Sequence, residues 1–205
     1  MKKCKLKLII MLFVVLSVIT ITQTNSKTGC ASCVDSATTK SKTDNTPKIT
    51  VKYTPMEVPN INSSFKTWMD YNKVSDIKSP QYRFIDTYGW VDAEGFMRAS
   101  GEPDLGIKQD YYMIALGSYY GTTIGTKYRI TLDTGRVFYG VLSECKADVH
   151  TNSTNQYVVH NKNIVEFIVD TTKLNWLVKQ RGSANVYMPL NGSVAKVERM
   201  DFVLE

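Results

Sequence analysis

The chain has 205 residues, of which 43% are hydrophobic and 21% charged, enough to build one domain of ordinary size with a real core. Its formal net charge of +6 is unevenly placed, because residues 1–26 carry four lysines and no acid, residues 27–60 carry five lysines and three acids, and residues 61–205 carry sixteen of each sign. A balanced domain has no long-range positive field that would attract phosphates, which argues against nucleic-acid binding.

Residues 1–26 have the layout of an export signal. Lysines dominate the first seven residues, and an apolar run follows from Leu8 to about Ile21. Such a cationic start with about 7–15 apolar residues is typical of a secretory signal, and the run is shorter than the ~20 residues that span a bilayer comfortably. No small-x-small cleavage site stands out, so a cleaved signal and an uncleaved membrane anchor both stay open. We expect a secreted or cell-surface protein, with the N-terminal segment as the membrane tether if it is uncleaved.

Residues 27–60 are predicted to be a disordered linker. They are rich in Thr, Ser, Lys and Asn, contain three prolines and have few large apolar side chains, so they cannot bury enough surface to offset chain ordering. The folded domain is then expected at 61–205. The chain has four cysteines, two of which form a CxxC in the linker, and its two histidines lie far from that motif. This spacing of cysteines and histidines is poor for a zinc site. We therefore expect no metal and no cofactor.

Within 61–205 the pattern predicts a mainly β domain. A short helix is expected at 63–75, capped by Ser63 or Ser64, and a second at 171–182, with Gly182 just past its end. Six or seven strands are expected in the extended segments, namely a hairpin at 82–100 that turns at 92–95, a strand at 110–118, a hairpin at 127–148, a strand at 164–170 and a hairpin at 185–204 that turns at Asn191-Gly192. Six or seven strands with one or two short helices fit a small closed β-barrel.

The segment 112–148 is the most informative part of the chain. A buried strand is followed by a loop with Gly117, Gly121 and Gly125, and then by a tight hairpin whose second strand ends at a lone carboxylate, Asp148. Glycines at this density let backbone segments cross closely or take positive φ. In the hairpin, apolar residues at alternate positions of 128–132 predict one buried face and one solvated face.

The sequence GTKYRITLDTGRVFYGVLSECKAD at 125–148 carries a resemblance to known proteins. It resembles the double-psi β-barrel domain of the rare-lipoprotein-A and three-aspartate families, which act on bacterial cell walls and share their barrel with expansins and one class of lytic transglycosylase. The resemblance implies a double-psi β-barrel over about 82–203 that acts on peptidoglycan glycan strands. We also expect a monomer. The resemblance further implies that Asp148 is the catalytic or substrate-contacting acid. The further family aspartate before the glycine loop is replaced here by Ala115 and Leu116.

Lytic transglycosylase chemistry needs one carboxyl group, because the 6-hydroxyl of the sugar is the nucleophile. That acid should be partly desolvated at the rim of a groove, so that its pKa is raised. Glu144 shares the parity of Asp148 but would lie about 13 Å away along a strand, too far for a glycosidase pair. Asp148 is therefore the predicted acid/base.

Four residues are predicted to bind substrate around Asp148. Tyr119 and Tyr120, in the glycine loop, could stack on sugar rings, while His150 and Asn152 could hydrogen-bond sugar hydroxyls. The first hypothesis is a lytic transglycosylase-like enzyme. The alternatives are a non-catalytic peptidoglycan-binding or carbohydrate-binding module, which the missing aspartates favour, and a scaffold in a surface complex.

Overall fold

The computed structural model describes residues 48–74 and 76–205, which form a mainly β fold. The predicted signal or anchor and the linker as far as residue 47 lie outside the described residues. Those described contain nine strands and two α-helices: β1 Ile49–Met56, β2 Trp68–Asp70, α1 Pro80–Tyr88, β3 Trp90–Val91, β4 Met97–Ala99, β5 Tyr111–Leu116, β6 Lys127–Leu132, β7 Val137–Cys145, β8 Glu166–Val169, α2 Trp176–Arg181 and β9 Val194–Leu204. None of the helices described is long and apolar enough to cross a membrane.

The strands form one mixed, unclosed sheet with the order β1-β9-β6-β7-β5-β4-β3. Strand β8 leaves this path and pairs with β2 and β5. Two pairs, β5–β7 and β2–β8, are parallel, and the other pairs are antiparallel. The mainly β prediction is therefore confirmed, with nine strands instead of six or seven because β1 and β2 form in segments where no strand is predicted.

The glycine loop connects two strands, β5 and β6, that are not neighbours in the sheet. After β5, the chain passes through 117–126 into β6, and β7 then returns into the gap between β6 and β5. Gly117 lies where this loop meets another, since a Cβ built there would be 1.9 Å from the carbonyl oxygen of Asn155. Gly125 continues the ladder by donating its N–H to Leu142 O at 2.8 Å. The predicted close crossing at these glycines is confirmed.

Aromatic side chains fill the larger of two apolar clusters. Phe96, Tyr112, Phe138 and Phe167 are at most 8% exposed and pack largely edge to face. Tyr128, Ile130 and Leu132 are buried on the same side of the sheet, as the alternation in β6 predicts. A smaller cluster with Met113, Val141 and Ile168 at its centre packs under α1 on the opposite face.

Strand β1 lies inside the segment predicted to be linker. Residues Ile49–Met56 pair antiparallel with Leu204–Val197 over their full length, so the fold begins before residue 61. The linker prediction is wrong for this stretch because its prolines are at the end of the strand, where Pro55 sits on a sheet edge and needs no ladder donor. The two halves of this pair are almost 150 residues apart, which no local pattern reveals.

Three further predictions differ from the structure. The first half of the 82–100 hairpin is helix α1, because the Ser79 side chain accepts a hydrogen bond from Tyr82 N and Pro80 occupies the first helical turn. Of the predicted helix 63–75, the described residues 63–74 contain β2 and a 3₁₀ turn instead of an α-helix. Asn191-Gly192 joins a 3₁₀ turn to β9, and β9 pairs with β1 and β6 instead of forming a local hairpin. Helix α2 and the turn at 92–95 are confirmed.

Lys66 is a fully buried lysine, with 0% of its surface exposed. Its ammonium group donates to the carbonyl oxygens of Ser64, at 3.1 Å, and of Gly192. Burial lowers the pKa of Lys66 from its ordinary 10.5 to about 8, while the charge of Asp133 acts in the opposite direction. The unfolded chain therefore holds this proton over a range of pH in which the folded chain has released it.

This difference predicts that the fold becomes more stable as the pH rises between about 8 and 10.5. Below about pH 8 the lysine is charged in both states, and the cost of burying the charge is fully present. Relative to Lys66→Met, the wild-type free energy of unfolding should rise by up to about 3 kcal/mol between pH 7.5 and 10.5. Urea unfolding of both proteins at several pH values measures this. A wild-type-minus-variant difference that is flat over the window would contradict the prediction.

Candidate functional site

The predicted acid lies at the edge of the sheet where β5 and β7 both end. Because these strands are parallel, their carboxyl ends meet at the same edge. Ser118 follows β5 in a 3₁₀ turn, Ser118–Tyr120, and Asp148 follows β7 in another, Asp148–His150. The hydroxyl group of Ser118 donates to Asp148 Oδ1 at 2.7 Å. Two residues that are 30 positions apart thus form one polar pair.

Asp148 is exposed to solvent instead of being partly desolvated in a groove. The cavity described below is lined by other residues. A solvated carboxylate with a hydroxyl donor on one oxygen is well suited to accept hydrogen bonds from further hydroxyl groups. The partly desolvated position expected for a catalytic acid is therefore not the one found for this side chain.

The two predicted tyrosines have different surroundings. Tyr119 is 38% exposed, next to Ser118, and its ring stands edge-on to that of Tyr120, with centroids 5.2 Å apart. Tyr120 is 1% exposed and belongs to the core, and burial raises the pKa of its phenol. The prediction that Tyr120 stacks on a sugar ring is wrong, because a side chain buried in the core cannot contact a ligand at the surface. Tyr119 keeps the predicted surface position.

The other two predicted contacts also separate. His150 is exposed and lies in the same 3₁₀ turn as Asp148. The backbone is not extended there, so the side chains of residues 148 and 150 do not point in the same direction as they would in a strand. Asn152 is half-buried, and its Oδ1 accepts the backbone N–H groups of Gln156 and Tyr157 at 2.7 and 3.1 Å. Asn152 therefore shapes the loop 151–157 instead of offering its carbonyl oxygen to a ligand.

We call Ser118, Tyr119, Asp148 and His150 the strand-end surface. It also carries two exposed apolar side chains. Val149, 84% exposed, lies in the turn of Asp148, and Val159, 59% exposed, lies in a neighbouring turn. Val159 N donates to His150 O at 3.3 Å, which ties the turns together. The surface therefore combines a carboxylate, hydroxyl groups, one aromatic ring and apolar patches, without a deep cleft.

Cys145 precedes this surface and is a free thiol within the described part of the chain. Burial raises the pKa of the Cys145 thiol, and the neighbouring carboxylates of Glu144 and Asp148 act in the same direction. A thiol with a raised pKa is a poor nucleophile at neutral pH. The chemistry of a cysteine–histidine enzyme is thus not supported here.

A second polar cluster was not predicted from the sequence. Glu102, in the loop before β5, accepts hydrogen bonds from the Tyr111 hydroxyl group and the Lys127 ammonium group. Burial lowers the pKa of Lys127, while contact with the Glu102 carboxylate favours the charged ammonium, so we expect an ion pair. The cluster lies in a cavity of about 490 Å³. No sequence signal indicates it, because its three residues come from separate elements.

Neither a metal site in the described residues nor a similar protein indicates the chemistry of this chain. Among residues 48–74 and 76–205, no group of three or more His, Cys, Asp or Glu side chains is arranged to hold a metal ion. No protein-family model, curated protein or solved structure matches the chain. The function is therefore inferred from the side chains of these two sites.

Proposed function

We propose that this chain is an exported cell-wall protein that binds peptidoglycan glycan strands at the strand-end surface. The observation that carries the proposal is the exposed Asp148 carboxylate, which accepts from the Ser118 hydroxyl at 2.7 Å, with the exposed Tyr119 following Ser118 in the same 3₁₀ turn. Sugars present hydroxyl groups around a ring with apolar faces, so a carboxylate acceptor next to an aromatic face is a suitable partner. The solvation of Asp148 favours a binding role over an acid/base role.

The double-psi β-barrel remains part of this proposal. It is supported by the parallel pair β5–β7 with the β6–β7 hairpin returning into the gap, and by the second parallel pair β2–β8 within an otherwise antiparallel sheet. The resemblance of residues 125–148 to cell-wall proteins points in the same direction. Export to the wall, with or without an uncleaved anchor, is supported by the sequence pattern of residues 1–26.

Co-sedimentation of the full chain with purified peptidoglycan tests wall binding. Asp148→Asn removes a charged acceptor whose hydrogen bond is worth about 1.5–3 kcal/mol, so the affinity should fall about tenfold or more. Tyr119→Ala should lower it about fivefold, through the lost ring contact. The matched control is Trp176→Ala, since Trp176 is 72% exposed but lies in α2. Equal losses in all three variants, or no loss in Asp148→Asn, would contradict the proposal.

A second candidate is cleavage of the glycan strand with Asp148 as the single acid/base. It is favoured by the position of this carboxylate three residues after the end of β7, where the family resemblance locates the acid. The acid would protonate the glycosidic oxygen and then accept the proton of the 6-hydroxyl group as the anhydro ring closes. Wild-type protein would then release anhydro-muropeptides from peptidoglycan, and Asp148→Asn would release none. If the wild-type protein binds peptidoglycan but releases no anhydro-muropeptides, the function is wall binding without cleavage.

A further inference from the structure

The cavity around Glu102 is a separate concave site, bounded by α1, the loop before β5 and the start of β6. Its volume of about 490 Å³ falls within the ~300–1,000 Å³ that is usual for small-molecule sites. Phe84 and Tyr88 of α1 form one wall, and Ser100, Glu102 and Lys127 supply polar groups. None of these residues belongs to the strand-end surface, so the cavity can be assessed independently of the proposed wall binding.

The polar groups of the cavity form a neutral set. The Glu102 carboxylate is paired with the Lys127 ammonium group and also accepts from the buried phenol of Tyr111. The ammonium group lies 5.2 Å from the centroid of the Tyr111 ring and 4.7 Å from that of Phe202. Since the two charges compensate each other, a charged ligand would be attracted by one partner and repelled by the other. The electrostatics favour an uncharged ligand.

Both members of the ion pair keep hydrogen-bonding capacity. An ammonium group has three N–H donors, and that of Lys127 uses one of them on Glu102 Oε1. A carboxylate has about four acceptor positions, and Glu102 uses one on each oxygen, for Lys127 and for Tyr111. Donors and acceptors therefore lie next to each other, as a ligand with neighbouring hydroxyl groups requires.

Aromatic side chains supply another part of the cavity lining. Tyr88 is 61% exposed, and its ring centroid is 5.1 Å from that of Phe84, at 45° between the planes. A cavity lined by exposed aromatic rings and by a neutral polar pair fits a ligand with one apolar face and a polar rim. Among small uncharged molecules, a pyranose ring has this distribution of groups.

We propose that this cavity binds an uncharged pyranoside. The sugar ring packs its apolar face on Tyr88 and Phe84, while its hydroxyl groups accept from Lys127 and donate to Glu102. A zwitterionic amino acid is the main competing ligand, since its two charges could separate the Glu102–Lys127 pair.

The test is a titration of the full ¹⁵N-labelled chain with methyl β-glucopyranoside and, separately, with N-acetylglucosamine, followed by NMR. The expected result is saturable shifts of the backbone amides of Ser100, Gly125 and Lys127. Tyr88→Ala should weaken the affinity about fivefold, whereas Tyr88→Phe should keep it, since the ring and not the hydroxyl group makes the contact. Because Tyr88 is largely exposed, its replacement leaves the core intact.

Three outcomes would overturn the proposal. These are the absence of saturable shifts with either sugar, shifts confined to the strand-end surface, and stronger shifts of the cavity amides with L-alanine than with the sugars. Asp148→Asn separates this proposal from wall binding. If Asp148→Asn no longer co-sediments with peptidoglycan but still shows saturable shifts of the cavity amides with the sugars, both proposals stand. If the chain co-sediments with peptidoglycan but its cavity amides show no saturable shifts, only the cavity proposal is removed.

Discussion

Replacing Phe167 by alanine should cost about 3–5 kcal/mol of the free energy of unfolding, the range for deleting a buried phenylalanine ring. Phe167 is 0% exposed, and its ring lies 5.3 Å from Tyr112, 5.4 Å from Phe96 and 5.7 Å from Phe138, centroid to centroid. It also stands in register with Trp68 on β2 and Ile114 on β5. Its loss would leave a cavity where three strands meet.

For a chain of this size the loss corresponds to a decrease of about 6–20 °C in Tm. Urea unfolding and thermal unfolding measure the two quantities. Val149→Ala is the control, because Val149 is 84% exposed and its truncation should change stability by less than about 0.5 kcal/mol. A cost below about 1 kcal/mol for Phe167→Ala would show that β8 is not packed into the core in this way.

Gly117→Ala should destabilise the fold and also weaken wall binding. A Cβ at this position would lie 1.9 Å from Asn155 O, so the backbone of one of the two loops must move. Overpacking of this kind costs about 1–3 kcal/mol. Ser118 is the next residue, so the displacement should also disturb its hydrogen bond to Asp148. We expect a lower Tm together with lower co-sedimentation with peptidoglycan.

The matched control for this variant is Gly135→Asn in the β6–β7 hairpin turn. Nothing lies within 4 Å of a Cβ at Gly135, and asparagine tolerates its φ of +79° better than other side chains do. Gly135→Asn should therefore retain both Tm and wall binding. If Gly117→Ala behaves like Gly135→Asn, the close crossing of the loops does not position the strand-end surface.

Some elements of the candidate sites follow from sequence and others do not. The position of Asp148 at the end of β7 is predictable, because an apolar extended segment ends there and a polar loop begins. Its solvation is not predictable, since exposure depends on which loops pack over it. Glu102 and Lys127 are 25 residues apart in a loop and a strand, so their ion pair depends on how β5 and β6 are placed in the sheet.

The buried tyrosine of the glycine loop illustrates the same limit. Tyr119 and Tyr120 are adjacent and chemically identical, and a short 3₁₀ turn directs one to solvent and the other into the core. A period of two or of 3.6 residues predicts faces in strands and helices, but a single 3₁₀ turn is too short to show a period. The choice between the two rings is made by the space available under the loop.

Local sequence patterns were sufficient for β5, β6, β7 and α2, because alternating apolar residues, loop glycines and a helix cap act over a few neighbouring residues. Helix α1 also has local start signals in Ser79 and Pro80, whereas the addition of Ile49–Met56 to β9 and the two polar sites depended on packing between distant segments. Burial and strand pairing stabilise residues that are close in space, whatever their separation along the chain. The pairing of β1 with β9 and the two polar sites are therefore visible only in the folded protein.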